Sequence, residues 1–361
     1  MRRVKVELGK RSYRILIGGG IFNRFGRYLE TLRPGTDAFI VTNALLKKKY
    51  GQRIIQTLSQ SGFNYRFKLV ADSERSKSLE TAGSVIRDLA EFDRKRSVFI
   101  IAFGGGVIGD LSGFVASVYK RGIKYFQVPT TLLAQVDSAI GGKTALDLDS
   151  AKNMVGAFYQ PLLVFSETDF LKTLDRKQFS CGMAEVIKYA VIKDLRFFSF
   201  LEERYRKVMR GDRKTLESII YFCSRVKSDI VSRDEKDLLG IRNILNFGHT
   251  IGHAIEVSSG YRGYNHGQAV ALGMSAAVKL SMLLGMLSEG EGRRIRELIK
   301  LYGLPVRMKK IALDKVVRAH YHDKKFSGGK NRFVLIKKIG KPEVVNNIAL
   351  DLIKESIRSI S

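Results

Sequence analysis

The 361-residue sequence predicts an α/β domain with a mainly parallel sheet, followed by a mostly α-helical domain. Three observations carry this. Short apolar runs alternate with helical patterns through the first half. The strongest of them, residues 97–103 (S-V-F-I-I-A-F), is continuous and rich in β-branched and aromatic residues, as a strand buried on both faces requires. From about Thr173 strand signals nearly vanish and helical periodicity takes over.

In order, the N-terminus (M-R-R-V-K) alternates polar and apolar residues like a strand. Residues 13–18 and 38–42 read as short strands, each followed by a turn and a helical pattern. Further strands are expected at 63–70, 97–103, 125–128 and 162–165. Helices are then expected near 182–193, 196–208, 213–232, 239–257, 267–285 and 289–301, with one late strand at 333–336. The expected domains are 1–175 and 176–361.

Composition bounds the function. A hydrophobic content of 45% describes a globular protein, and no run reaches the roughly eighteen apolar residues of a membrane helix. No signal-peptide pattern follows the N-terminus, so neither a membrane partner nor secretion is expected. Cys181 and Cys223 are too few for a disulfide framework and suit a reducing cytoplasm. The net charge of +28 raises nucleic acid as a partner. The basic residues are scattered, however, as at 47–49 (K-K-K) and 94–96 (R-K-R), with no basic helix carrying interleaved aromatics. The charge reads as a solvated surface bias without a specific nucleic-acid partner, and a basic nucleic-acid-binding protein stands as the non-enzymatic alternative.

Directly after the strongest strand comes Gly104-Gly105-Gly106-Val107-Ile108-Gly109-Asp110, then a helical pattern. Such glycines let the backbone approach a pyrophosphate while the helix N-terminus offers unpaired N–H groups, as in a Rossmann-like dinucleotide site. The usual acidic residue ending the next strand is missing at 125–128, and the motif falls on a late strand. The competing reading is a tight structural turn. Further on, Pro129-Thr130-Thr131 starts an amphipathic helix that runs into Asp137, and Gly141-Gly142 present Lys143 on a loop towards an anion. Asp137, Lys143, Lys152 and Asn153 form a dense polar cluster among apolar neighbours.

The stretch 248–266 (G-H-T-I-G-H-A-I-E-V-S-S-G-Y-R-G-Y-N-H) holds three of the five histidines. Arg242, Asn246, His249 and His253 step by four, three and four, a polar stripe at helical period flanked by apolar residues. Polar groups there are costly to bury unless paired or bound, so a cavity holding a metal and an anion competes with ordinary solvated histidines. Glu185 and Lys188 share a helix face and could be a simple ion pair. With two of His249, His253 and His266, Glu185 would instead make a His2Glu set, a common catalytic zinc arrangement.

These motifs occur in a fixed order: G-G-G-V-I-G-D, P-T-T-L-L-A-Q-V-D-S, G-G-K-T, K-N-x-x-G-A-F, A-E-V-I-K, N-F-G-H-T-x-G-H-A-x-E and N-H-G. In combination the chain resembles 3-dehydroquinate synthase, a sugar phosphate cyclase, from about Asn43 to Lys338. The resemblance implies zinc (or cobalt) held by Glu185, His249 and His266, which leaves His253 as the proton-handling histidine. It implies an NAD site at Asn43, Asp72, Glu74, Lys77, Gly105, Gly106, Val107, Ile108, Gly109, Asp110, Thr130, Thr131, Asp137, Lys143, Lys152, Phe170 and Thr173. A phosphorylated sugar acid would meet Lys143, Lys152, Asn153, Lys188, Lys227, Arg242, Asn246 and Lys325. Lys325 rests on His322-Asp323-Lys324-Lys325, where either lysine fits. A homodimer is implied as well. One departure is plain: the family's His-Gly-Glu after the third histidine is His266-Gly267-Gln268, so tuning around the metal is expected to differ. Another sugar phosphate cyclase, or a metal- and NAD-dependent polyol dehydrogenase of similar fold, is the enzymatic alternative.

Overall fold

The computed structural model describes residues 1–94, 97–148, 151–260, 263–308, 313–321 and 331–361. The chain divides into two compact units: Met1–Leu174 with Arg213–Lys236, and Asp175–Asp212 with Asp237–Ser361. Among the described residues no helix is long and apolar enough to cross a membrane.

The first unit is built on a seven-stranded sheet. Numbered in chain order, its elements begin with β1 (Arg2–Val6), β2 (Tyr13–Gly18), α1 (Phe25–Leu32), β3 (Asp37–Thr42), α2 (Ala44–Gln60) and β4 (Asn64–Leu69). There follow α3 (Leu79–Phe92), β5 (Val98–Gly104), α4 (Gly106–Val118), β6 (Tyr125–Pro129), β7 (Lys143–Leu148), β8 (Ala151–Phe158) and β9 (Leu163–Glu167). The sheet order is β1-β2-β9-β6-β5-β3-β4, parallel except where β1 pairs antiparallel with β2.

β5 is buried at every position, as its continuous apolar sequence requires. Its alternation splits the core. Phe99, Ile101 and Phe103 join Phe22, Phe25, Phe126 and Phe165 on one face, while Val98, Ile100 and Ala102 join Phe39, Val85, Leu111 and Val115 on the other. The chain runs from β3 outward to β4 but from β5 in the opposite direction to β6, so strand order reverses between the paired strands β3 and β5. The carboxyl ends of two such strands form the crevice where α/β sheets bind ligands. Asn43 and Gly105 follow those two ends directly.

Several segments depart from the sequence expectation. Lys143 opens strand β7, which pairs antiparallel with β8 as a separate hairpin and is not a loop. Lysine, alanine, aspartate, asparagine and glycine are weak strand formers, which hid this hairpin. The helix expected after Thr131 is brief, passing into a single π turn over Ala134–Ser138. Moreover α7 (Arg213–Arg233), whose periodicity placed it in the helical half, belongs to the first unit and packs on β1, β2 and that π turn. Arg2 donates to Ser218 at 3.0 Å, the Gly19 amide donates to Glu217 at 2.9 Å, and Arg213 pairs with Asp169 at 2.9 Å.

The second unit contains α5 (Arg176–Lys193), α6 (Leu195–Met209), α8 (His249–Ser258), α9 (His266–Leu283), α10 (Glu289–Leu301) and α11 (Leu313–Tyr321). A hairpin of β10 (Arg332–Lys338) with β11 (Lys341–Asn346) and a last helix, α12 (Leu350–Arg358), complete it. α9 is its axis, packed by α5, α8, α10, α12 and β10, and it is buried on nearly all sides. The single helix expected at 239–257 is broken. A 3-10 turn over Ile241–Asn246 is followed by Gly248, whose φ of 79° ends that segment before α8 starts at His249. Arg242 and Asn246 therefore do not continue the helix face of His249 and His253, and the four-three-four stripe is not one surface.

Candidate active-site residues

In the first unit the glycine motif forms the turn from β5 into α4. Gly105 caps α4, and the first ladder bond in the turn runs from the Gly109 amide to the Gly105 carbonyl at 3.0 Å. The amides of residues 106–108 thus lie in the first turn, where N–H groups lack helical partners and the dipole favours an anion. Beside it, Asn43 caps α2 by accepting from the Leu46 amide at 2.8 Å. Asn43 and Asp72 line one small depression of about 270 Å³ with Ala44, Leu45, Leu69, Val70 and Ala71. Thr130 is buried behind β6, and the Thr131 hydroxyl accepts from the Ala134 amide. Phe170 is locked among Phe22, Tyr50 and Phe103, and Thr173 contacts the Tyr50 hydroxyl at 2.7 Å. These last two shape the unit's wall through packing.

Lys77 organises a polar knot beside α4. It is buried, and its ammonium donates to Asp110 at 2.8 Å and to Asn153 at 2.6 Å, with Glu74 3.9 Å away. Burial pushes the Asp110 carboxyl up to about 6, against the pull of Lys77. Burial works against the Lys77 ammonium too, but Asp110 and Glu74 outweigh it and raise its pKa. Asn153 holds a left-handed φ of 55°, steadied by its amide donating to Asp147 at 2.7 Å. Lys152 stands 3.7 Å from Glu74, Lys143 lies over the Phe158 ring, and buried Lys227 donates to both the carbonyl and carboxylate of Asp137 at 2.9 and 2.8 Å. The cluster read from 137 to 153 is therefore drawn together by Lys77 and by α7, an element 60 residues further along the chain by the start of its helix at Arg213.

In the second unit, Glu185 sits on α5 with no exposed surface, and Lys188 one turn on is ion-paired with its Oε2. Oε1 stands 3.4 Å from the Nε2 atoms of both His249 and His266 and makes no aligned hydrogen bond with either. Ligand atoms of these three residues lie within 4.8 Å of one another. For metal–ligand bonds of about 2.0–2.1 Å, the edge of a tetrahedral site is roughly 3.4 Å, so the donor set fits a divalent ion. Burial works to raise the Glu185 pKa, but Lys188 and then His249 hold it well below the usual carboxylate range. Burial lowers His249 to about 4. At His266 burial acts the same way, yet Glu185 and Glu256 outweigh it and hold the ring up at about 10.

The helices meet closely enough to allow this because α8 and α9 cross at glycines. A Cβ on Gly273 would fall inside the Gly248 carbonyl, and one on Gly248 would strike Met274. His253, one turn after His249, has its ring centroid 5.4 Å from that of His249. Buried Arg242 and half-buried Asn246 lie on the preceding 3-10 turn. Lys325 falls outside the described residues.

Residues 68–181 match the family model described as "3-dehydroquinate synthase N-terminal", and residues 182–326 match "3-dehydroquinate synthase C-terminal". The chain is 44% identical to a 3-dehydroquinate synthase of Thermodesulfovibrio yellowstonii, over 95% of this chain and 96% of the relative. The chain belongs to the 3-dehydroquinate synthase family. It is also 42% identical to the 3-dehydroquinate synthase of Pelotomaculum thermopropionicum over 98% of its length and 96% of the relative's. Among solved structures it superposes on a 2-deoxy-scyllo-inosose synthase complexed with carbaglucose-6-phosphate, NAD+ and Co2+, with a TM-score of 0.89, 25% identity and full coverage of both chains.

Against the family's His-Gly-Glu pattern, Gln268 proves to be a helix-capping residue. Its side-chain oxygen accepts from the Asn265 amide at 3.1 Å while Asn265 accepts from the Gln268 amide at 2.9 Å, a capping box that an amide closes as well as a carboxylate. The carboxylate beside the histidines is Glu256, which the sequence reading quoted in a motif but assigned no part. Its oxygens contact His253 Nδ1 at 2.8 Å and His266 Nδ1 at 3.6 Å, and it is 3% exposed. The signal available was its place three residues after His253, on the helix face that also carries His249.

Proposed function

We propose that this chain converts 3-deoxy-D-arabino-heptulosonate 7-phosphate to 3-dehydroquinate and inorganic phosphate, a step of the shikimate pathway towards aromatic amino acids. Near-full-length identity of 42–44% with 3-dehydroquinate synthases carries the reading. A bound divalent ion supplies Lewis-acid polarisation of a substrate hydroxyl, and bound NAD supplies reversible hydride acceptance.

The chain's own residues do the rest. Glu185, His249 and His266 hold the ion, and zinc suits a His2Glu donor set, with cobalt as substitute. Lys188 offsets the negative charge of Glu185. The first turn of α4 takes the nucleotide phosphates, with Asn43, Asp72, Glu74, Lys77, Thr130, Thr131 and Asp137 around it. In the first unit Lys143, Lys152, Asn153 and Lys227 are the candidates for holding the substrate's phosphate and hydroxyls; in the second, Arg242, Asn246 and Lys188 are candidates for its polar groups, and orientation is what such residues contribute. His253 takes and returns a proton. With a ring hydroxyl at the ketone level the neighbouring C–H is acidified, and the residues that hold the phosphate would favour its departure by elimination; after reduction and ring opening, the same contacts would orient the product for closure as a carbocycle.

The assembly that fits is a homodimer, for which the exposed Leu148, Met154 and Phe158 of the β7–β8 hairpin offer an apolar surface. A cytoplasmic setting agrees with two buried cysteines that form no disulfide. The likeness to a 2-deoxy-scyllo-inosose synthase supports a second reading, another sugar phosphate cyclase activity, at much lower identity. Metal analysis with a substrate panel tests the assignment. The purified protein should hold one divalent ion and prefer the carboxylated heptulosonate phosphate. Glu185→Ala and His249→Ala should lose metal and at least ~100-fold in kcat. Full activity in either variant would remove the metal assignment.

A further inference from the structure

Glu256 is a buried carboxylate of the second unit that the proposed mechanism leaves unused. It is nearly buried on α8, one turn beyond His253, and its two oxygens are divided between rings from two helices. Oε2 meets His253 Nδ1 at 2.8 Å, and Oε1 faces His266 Nδ1 at 3.6 Å. His249 is served differently, its Nδ1 lying 3.1 Å from the Phe247 carbonyl. Each of the three imidazoles therefore has an oxygen against Nδ1. A neutral ring with its proton on Nδ1 carries its lone pair on Nε2. For His249 and His266 that is the atom 3.4 Å from Glu185 Oε1.

We propose that Glu256 is a positioning residue that holds both His253 and His266 in the Nδ1–H form, aligning the proton-handling ring and a metal-ligand ring through one carboxylate. The proposal rests on the functional reading for the role of His253, but its effect on His266 is independent of which sugar phosphate is the substrate. A carboxylate is an acceptor at both oxygens; an amide of the same shape accepts at one end and donates at the other. In Glu256→Gln one ring must then face an N–H at its Nδ1, which favours the tautomer with the proton on Nε2. That tautomer has no lone pair at Nε2 for a metal or a substrate proton.

The test uses the full-length protein and Glu256→Gln. Co2+ affinity is measured by chelator competition on metal-free protein, thermal unfolding on the same samples, and kcat and KM on metal-loaded enzyme. Glu256→Gln should bind Co2+ roughly 10- to 100-fold more weakly, with kcat reduced and KM little changed, while the metal-free protein unfolds at the wild-type temperature. Wild-type Co2+ affinity and kcat in the variant would overturn the proposal, as would losses that appear only together with a lowered unfolding temperature. Should the variant fail to fold, 15N spectra of zinc-loaded, histidine-labelled wild-type protein, in which His266 has given up its second proton, decide. Proton on Nδ1 of both rings is expected, and proton on Nε2 of either overturns it. If wild-type protein releases no phosphate from the heptulosonate phosphate yet Glu256→Gln still loses Co2+ affinity, the substrate reading fails while the positioning of His266 stands.

Discussion

At the scale of single residues, the two histidines of the candidate metal trio begin in opposite protonation states. Without metal, burial leaves His249 neutral below neutrality, at about 4, whereas the two carboxylates keep His266 charged up to about 10. Both rings must offer a lone pair to bind an ion, so binding has to expel the His266 proton. Metal uptake at pH 7–8 should release about one proton, and affinity should climb roughly tenfold per pH unit as pH rises towards the His266 value. Calorimetry in two buffers of different ionisation enthalpy measures this; uptake with no proton released would contradict it. Spacing found these residues but did not apportion them, because His249 and His253 are equally placed for a shared ligand on one helix. The partition lies in Glu185 on α5 and Glu256, one turn beyond His253 on α8. Glu256 was legible only as a letter in a motif, since nothing in its own position says that both its oxygens meet imidazoles.

At the scale of elements, strands and helices with strong patterns were readable and their interruptions were not. β5 and α4 follow from a continuous apolar run and a glycine turn, and β3, β6 and β9 from shorter runs of the same kind. The break at Gly248 was invisible because periodicity continues across it in the count of residues while the backbone leaves helical geometry. Gly248 combines φ of 79° with a Cβ position already occupied by Met274 and the Val270 carbonyl. Gly248→Ala should therefore destabilise by at least ~2 kcal/mol, from left-handed strain plus overpacking. Because His249 is the next residue, metal affinity should fall with it. Denaturant unfolding and chelator competition check both, and a variant matching wild type in stability would contradict the packing described for α8 and α9.

At the scale of the whole chain, sequence reading foresaw an α/β half and a helical half but could not see that α7 returns to the first unit. An amphipathic helix states that one face is buried, not which surface buries it, and its anchors at Arg2, Gly19 and Asp137 lie far back in the chain. The residues proposed to face the nucleotide thus belong to the first unit and the candidate metal trio to the second. Removing the metal with a chelator should abolish turnover yet leave NAD+ binding within about threefold of the holoenzyme, since no residue of the trio contributes to the α4 turn. Nucleotide titration monitored by protein fluorescence checks it, and loss of NAD+ binding on chelation would contradict that separation. The proposed reaction is an internal redox cycle in which phosphate is eliminated midway. It is tested most directly by recording phosphate release and NADH absorbance together, with the heptulosonate phosphate and NAD+ far below the substrate concentration. Many phosphates released per NAD+ with no accumulation of NADH is the predicted result; NADH rising in step with substrate consumption, or no phosphate at all, would contradict it.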